Sequence, residues 1–270
     1  MQLKAMLATQ FVLPSIPKVV ALLLSELERK QPDLKKITQL ISIDPALTTR
    51  LLQLSNSGFF KLSGRVHSVS ESLAIVGLNH VHTIATASAS GASLKAVPGI
   101  HLQHYWDYSL NVAKVSRSLA GVVRQNQQSA FTAGLIHFFG ELAMRMAMPE
   151  AMATLDREVP AIDARRAKAE RKQFGYSYAE VGAGFARKWM FPGPITDAIE
   201  NQDEPFYNDA YEPLAGVIHL AAWRARAKDS GMSQRAMAVT FPGTVGEVLA
   251  LDIDMVLQQD PIDWNSQSAT

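Results

Sequence analysis

The chain holds seven histidines and no cysteine among its 270 residues. Any metal or acid–base chemistry must therefore come from imidazole, carboxylate and phenol groups. Disulfides, zinc-thiolate sites, iron–sulfur centres and cysteine nucleophiles are excluded. His80 and His82 are two positions apart and cannot share a helical face, so they read as surface residues. His101 and His104 can share a face, but the one carboxylate at turn spacing is Asp107, and they read as a polar helix start. His67 falls in a loop with no partner nearby. His137 is different, because it sits inside FTAGLIHFFGELAM, between Ile136 and Phe138. An imidazole there is desolvated unless it finds a hydrogen-bond partner. Neither GxGxxG nor GxxxxGK[ST] occurs, and no GxSxG elbow is present, so the common nucleotide cradles and the esterase nucleophile are not expected.

The elements that must position these residues read as helices throughout. Pro17 fits a first turn ahead of Val19, Val20, Leu23 and Leu27. Asp33 caps a helix with Leu34, Ile37, Leu40 and Ile41. Asp44 followed by Pro45 is a cap plus a first-turn proline, and Gly58 can end the helix that follows. Ser68 and Glu71 have capping-box spacing, as do Ser177 and Glu180. Asn79 caps an Ala/Ser-rich run ending near Gly91. Residues 94–100, LKAVPGI, read as a hinge centred on Pro98-Gly99. A long helix is predicted from about His101 to Ala120 and another from Ser129 to Met148. Residues 156–172 carry six basic and four acidic side chains and read as a solvated helix face. A helix near Leu214–Ala227 holds His219 and Trp223, and Thr244 with Glu247 is a candidate cap for a short terminal helix. Residues 237–241 are left as coil or a helix end. No strand pattern or internal repeat stands out.

Composition bounds the function classes. Hydrophobic residues make up 47% and charged residues 19%, a globular balance. The formal net charge of +1 gives no electrostatic footprint for DNA, RNA or anionic lipid. Residues 1–100 carry 10 basic and 5 acidic side chains, a net of +5, which is thin support for nucleic-acid binding. No apolar run of about 18 residues exists to span a membrane. The first residues do not resemble a signal peptide, so a cytoplasmic location is expected.

The sequence resembles the HDOD family, the HD-related output domains. The resemblance rests on LPSIPKVVALLLSEL, DLKKITQLISIDPALTTRLLQLSNSGFF and VSESLAIVGLNHVHTIA in the first half. It continues through YWDYSLNVAKVSRSLA, FTAGLIHFFGELAM and FGYSYAEVGAGFARKWMFPGPITDAIENQDEP. It covers residues 11–228, and DPALTTRLLQLSNSGFF is its most specific element. It implies an all-α, two-subdomain fold: an N-terminal helical bundle (11–97) packed on an HD-like helical bundle (100–228), with 229–270 as a C-terminal extension. It also implies a bacterial signal-transduction or regulatory role. With no receiver or output domain evident, the chain is expected either to be a stand-alone module or to meet its signal in trans.

The departures from the HD pattern are informative. A true HD phosphohydrolase sets a His, a His-Asp pair and a later Asp around metal, which activates water and clamps a phosphoryl group. By the resemblance, the first His position holds Tyr108. The His of the pair survives as His137, but its Asp is Phe138. The later Asp falls at about Ala222. A further His position holds Tyr178, and a frequent His-His stretch reads Asn201-Gln202. One imidazole and two phenols offer a hard cation little anionic oxygen. No metal, no cofactor and no enzymatic reaction are therefore expected. Tyr108, His137, Tyr178, Asn201 and Gln202 are the candidate ligand-binding residues; the same residues could instead fill a core. The expected partner is a signalling protein or a small ligand, with neither membrane nor nucleic acid. The competing reading is a residual phosphohydrolase on a nucleotide or cyclic dinucleotide, with Glu141 or Glu180 recruited to a metal beside His137. Arg50 and Asn56 are read as fixing helix ends and the subdomain contact; Arg50 could also meet a partner's acidic group.

Overall fold

The computed structural model describes residues 1–10, 12–91, 97–207 and 211–258, without the side chain of Ser90. All regular structure among them is helical. A short α1 (Leu3–Ala8) precedes the N-terminal bundle, which comprises α2 (Pro17–Leu27), α3 (Leu34–Ser42), α4 (Pro45–Ser55), α5 (Val69–Val76) and α6 (Leu78–Gly91). The second bundle comprises α7 (Leu102–Val122), α8 (Gln127–Ile136), α9 (Phe139–Ala147), α10 (Pro149–Asp156), α11 (Arg166–Phe174), α12 (Tyr178–Lys188), α13 (Gly193–Asn201) and α14 (Pro213–Asp229). Three short helices follow: α15 (Gln234–Thr240), α16 (Gly243–Leu249) and α17 (Ile253–Gln258). No described helix is long and apolar enough to cross a membrane.

Local chemistry starts many of these helices where the sequence says it should. Asp33 accepts from the Lys35 and Lys36 N–H groups, and Glu180 accepts from the Ser177 N–H at 2.8 Å, the carboxylate half of a capping box. Asp44 accepts from Ala46 N at 2.8 Å and Leu47 N at 2.9 Å, and its second oxygen accepts from Ile16 N at 2.6 Å. One buried carboxylate thus caps α4 and ties down the entry to α2. Burial raises its pKa to about 6, against the pull of those N–H donors. Asn56 ends α4 and holds the following loop, accepting from Arg65 N and Val66 N and donating to Leu52 and Val66 carbonyls. Arg50 bonds Leu13 O at 2.7 Å and the Ser15 and Ser88 hydroxyls, a structural use of its fork. Other starts differ: α6 begins at Leu78, before Asn79, and α16 begins at Gly243, before Thr244.

Two apolar cores result. The smaller, around Leu23, Ile37, Leu51 and Val81, lies inside the N-terminal bundle. The larger fills the second bundle and also takes in Ala46 and Leu52 of α4, so α4 joins the two halves. Val245, Leu249, Leu251 and Val256 belong to it as well, so the C-terminal extension packs on the bundle along α14. His67, far from lacking a partner, lies at the seam. Its ring meets Ser129 Oγ at 3.2 Å and its carbonyl accepts from Thr132 Oγ1 at 2.9 Å.

Three further expectations need correction. The proposed hinge has an anchor: Pro98 O accepts from Arg145 Nη1 at 3.3 Å, and Gly99 turns at φ +72°. A Cβ at Gly99 would lie 2.6 Å from Arg145 Nη1, so the left-handed turn also makes room for that guanidinium. Residues 92–96 of the same segment lie outside the described residues.

The single helix predicted over 129–148 is two. It starts at Gln127 behind an Asn126 cap, stops at His137, and restarts at Phe139. The reason is tertiary. Gly140 brings α9 against α12 so closely that a Cβ there would lie 2.0 Å from Tyr178 O and 2.8 Å from Gly182 N.

The charged stretch 156–172 is not a solvated face either. Arg166 and Glu170 are buried together with Arg145 and Glu141 of α9. Arg145 reaches Glu141 and, through both terminal nitrogens, Asp156 at 2.7 and 2.6 Å. Arg166 reaches Glu141, Asp156, Glu170 and the Val159 carbonyl. Burial raises Asp156, but the two guanidiniums outweigh it and hold that carboxyl below its ordinary range. Burial and the neighbouring Glu141 push Glu170 upward. Helical charge spacing alone cannot distinguish such a network from a surface face.

Candidate functional site

The break between α8 and α9 presents His137 and Phe138 to the centre of the second bundle. His137 is buried, and its Nδ1 donates to Gly134 O at 2.7 Å, because a carbonyl can only accept. That bond assigns the Nδ1–H tautomer and leaves Nε2 as a buried acceptor with no partner among the described residues. Burial drives its pKa down to about 3; the Gly134 bond opposes this, and the nearby Arg226 charge adds to it. The ring is therefore neutral across the physiological range.

Aromatic rings surround it. Phe138 stacks on His137 at 5.7 Å and on Tyr105 at 5.9 Å between ring centres. It meets Tyr178 edge-on at 4.8 Å and Tyr108 edge-on at 5.8 Å. Each such pair contributes about 0.5–1.5 kcal/mol beyond the area it buries. Gly140 and Gly182 set the approach that places Tyr178 on the Phe138 edge. Gly134 does the same on the other side, where an added Cβ would lie 2.9 Å from Ala113 Cα on α7.

The polar tips lie at the rim of this cluster. Tyr178 donates to Asp203 Oδ1 at 2.8 Å. Burial raises Asp203 to about 6, opposed by the Tyr178 bond and by the Arg171 and Arg226 charges. Burial also raises Tyr178, and Asp203 adds to it. Arg226, in the last turn of α14, approaches the Tyr108 hydroxyl at 3.5 Å. Gln202 Nε2 donates to the His137 carbonyl at 2.9 Å, and its own carbonyl accepts from His219 Nδ1 at 2.8 Å.

Four of the five sequence-predicted residues thus converge: Tyr108, His137, Tyr178 and Gln202. Asn201 does not. Its amide donates back to the Asp197 carbonyl of its own helix. Asp203 and Arg226 were missed. The carboxylate directly follows the Asn201-Gln202 stretch, and Arg226 falls one helical turn beyond Ala222, so position offered a signal that residue type alone did not.

The residues do not fit a divalent metal. Phe138 puts a ring where a carboxylate would be needed, Ala222 has no donor, and the nearby Asp203 is held by a phenol. No described group of three His, Asp or Glu side chains could hold an ion. The two acids considered as substitutes are committed elsewhere: Glu141 to Arg145 and Arg166, and Glu180 to Ser177 N at 2.8 Å and Arg171 at 3.0 Å.

The HDOD domain profile matches residues 13–205. The chain belongs to the HDOD family. An uncharacterized protein of Treponema pallidum (strain Nichols) is 26% identical over 227 residues, 80% of this chain and 43% of that protein. This HDOD chain spans less than half the length of the curated relatives it matches. A fragment of the MmoQ response regulator from Methylococcus capsulatus strain Bath is 25% identical, with a TM-score of 0.70 over 92% of this chain and 95% of that one. A candidate phosphohydrolase from Shewanella amazonensis SB2B is 26% identical, with a TM-score of 0.55 over 93% and 91%.

None of the five predicted HDOD site residues lines the large cavity nearby. That cavity, of about 580 Å³, opens beside Phe138 and is bounded by the start of α7, the loop before α11, α14 and α15.

Proposed function

We propose that this HDOD chain is a regulatory module that acts by binding a protein partner or a small ligand, without catalysing phosphohydrolysis. The observation that carries the reading is the Phe138 ring, packed among Tyr105, Tyr108, His137 and Tyr178 where a metal-binding carboxylate would have to sit. A neutral imidazole behind such a wall can neither lower the pKa of a metal-bound water nor clamp a phosphoryl group. The two solved relatives at similar identity point in different directions by name, a response regulator and a candidate phosphohydrolase. The donor set favours the former.

The test incubates the full chain with Mn²⁺ or Mg²⁺ and a set of nucleotides and cyclic dinucleotides, alongside His137→Ala. The expected result is no turnover distinguishable from the variant. Metal-dependent hydrolysis that His137→Ala abolishes would overturn the reading. Crosslinking in a bacterial lysate, followed by mass spectrometry, identifies the protein partner.

A further inference from the structure

The cavity beside Phe138 combines three features that the fold does not require of one another. Its volume of about 580 Å³ lies within the roughly 300–1,000 Å³ span of small-molecule sites. Its walls include three aromatic side chains from separate elements: Tyr105 on α7, Phe138 at the α8–α9 break and Trp223 on α14. Arg226 also lines it.

The charges around the cavity are unequally matched. Asp163 is engaged by Arg165, through the backbone N–H and two side-chain bonds. Asp229 accepts from His104 Nε2 at 2.7 Å. Arg226 has five N–H donors in a planar fork. Among the described residues that fork makes one hydrogen bond, the 3.5 Å contact to Tyr108, and no ion pair within 4 Å. Its place in the last turn of α14 suits a cation at a helix C-terminus, but that role does not use the fork. Tyr105, buried and lining the cavity, has the Ser109 hydroxyl as the polar neighbour of its own hydroxyl.

We propose that this cavity binds a flat aromatic or heteroaromatic anion, with its carboxylate or phosphate on Arg226 and its ring against Tyr105, Phe138 and Trp223. A guanidinium pairs with either anion through two parallel hydrogen bonds. Offset or edge contacts hold the ring. The inference rests on the reading of this chain as a binding module and gives that module a ligand class. It also assigns a use to Phe138: the ring that replaces a metal ligand becomes a wall of the site.

The test is calorimetric titration of the full chain with adenosine monophosphate and with 4-hydroxyphenylacetate. Controls are the neutral counterparts, adenosine and 4-hydroxyphenylethanol, and inorganic phosphate alone. At least one anion should bind with Kd below about 1 mM, and its neutral counterpart about tenfold or more weaker, as loss of a charge-assisted pair implies. The phosphate and carboxylate arms show which anion the site takes.

Arg226→Gln should remove the preference for the anion, and Arg226→Lys should keep part of it, with circular dichroism confirming that both variants fold. The proposal is overturned if neither anion binds with Kd below about 1 mM. It is equally overturned if the neutral compounds or phosphate alone bind as well, or if folded Arg226→Gln binds unchanged. Such a failure leaves the non-catalytic reading standing, because that reading fails only on metal-dependent hydrolysis.

Discussion

Replacing Arg166 with methionine removes a buried guanidinium that donates to Glu170 Oε1 at 2.9 Å, Asp156 Oδ1 at 2.9 Å, Val159 O at 2.6 Å and Glu141 Oε1 at 2.8 Å. Arg145 still covers Glu141 and Asp156, but Glu170 loses the guanidinium it pairs with among the described residues, while Tyr178 N continues to donate to its other oxygen. Removing one partner of a buried ion pair costs about 3–5 kcal/mol, because the charge left behind has neither water nor a counter-charge. That is a large share of the roughly 5–15 kcal/mol that holds a domain together.

The sign of the pH dependence follows. Carboxyls stranded by the substitution have folded-state pKa values higher than in the parent. A raised folded-state pKa gives stability that is present at low pH and lost as pH rises through it. Glu170 is already pushed up to about 10 in the parent, so the destabilisation should be similar at pH 5 and pH 8 and should grow only as pH approaches and passes that value. Urea unfolding followed by circular dichroism at both pH values reads it directly. Adding Glu170→Gln to Arg166→Met should recover about 1–3 kcal/mol, the coupling expected of contacting residues. A loss below about 1 kcal/mol at both pH values would refute the argument, since it would mean that these charges are solvated after all.

Gly140→Ala should destabilise the protein by about 1–3 kcal/mol or more, because its Cβ would meet Tyr178 O at 2.0 Å. A thermal melt with an unchanged Tm would contradict the close α9–α12 approach. His137 is buried with its pKa pushed down to about 3, so between that value and about 6.5 the unfolded chain takes up a proton that the folded chain refuses. Stability is lost as pH falls through this window, by up to about 1.4 kcal/mol per pH unit. His137→Leu should flatten that slope between pH 6.5 and 5, and an unchanged slope would show the imidazole to be accessible.

The sequence alone determined what depends on neighbours along the chain. An Asp before a helix satisfies N–H groups two or three residues away, so the starts at Asp33 and Asp44 were legible. Residue type is likewise visible as letters: Phe138 and Ala222 offer a cation no oxygen from their side chains wherever they lie.

The tertiary structure decided what depends on contacts distant in sequence. The charges at Arg166 and Glu170 are buried because α9 supplies Arg145 and Glu141 to meet them, and helical spacing carries no trace of that partner. The helix broken at His137 follows from α12 pressing on Gly140. The same break turns Phe138 toward the cavity and Tyr178 onto its edge. It leaves Arg226, 88 positions beyond Phe138 in the chain, facing the cavity with its fork almost unused. Local hydrogen bonding and residue type are written in short stretches of chain, whereas desolvation and charge pairing are properties of the packed whole.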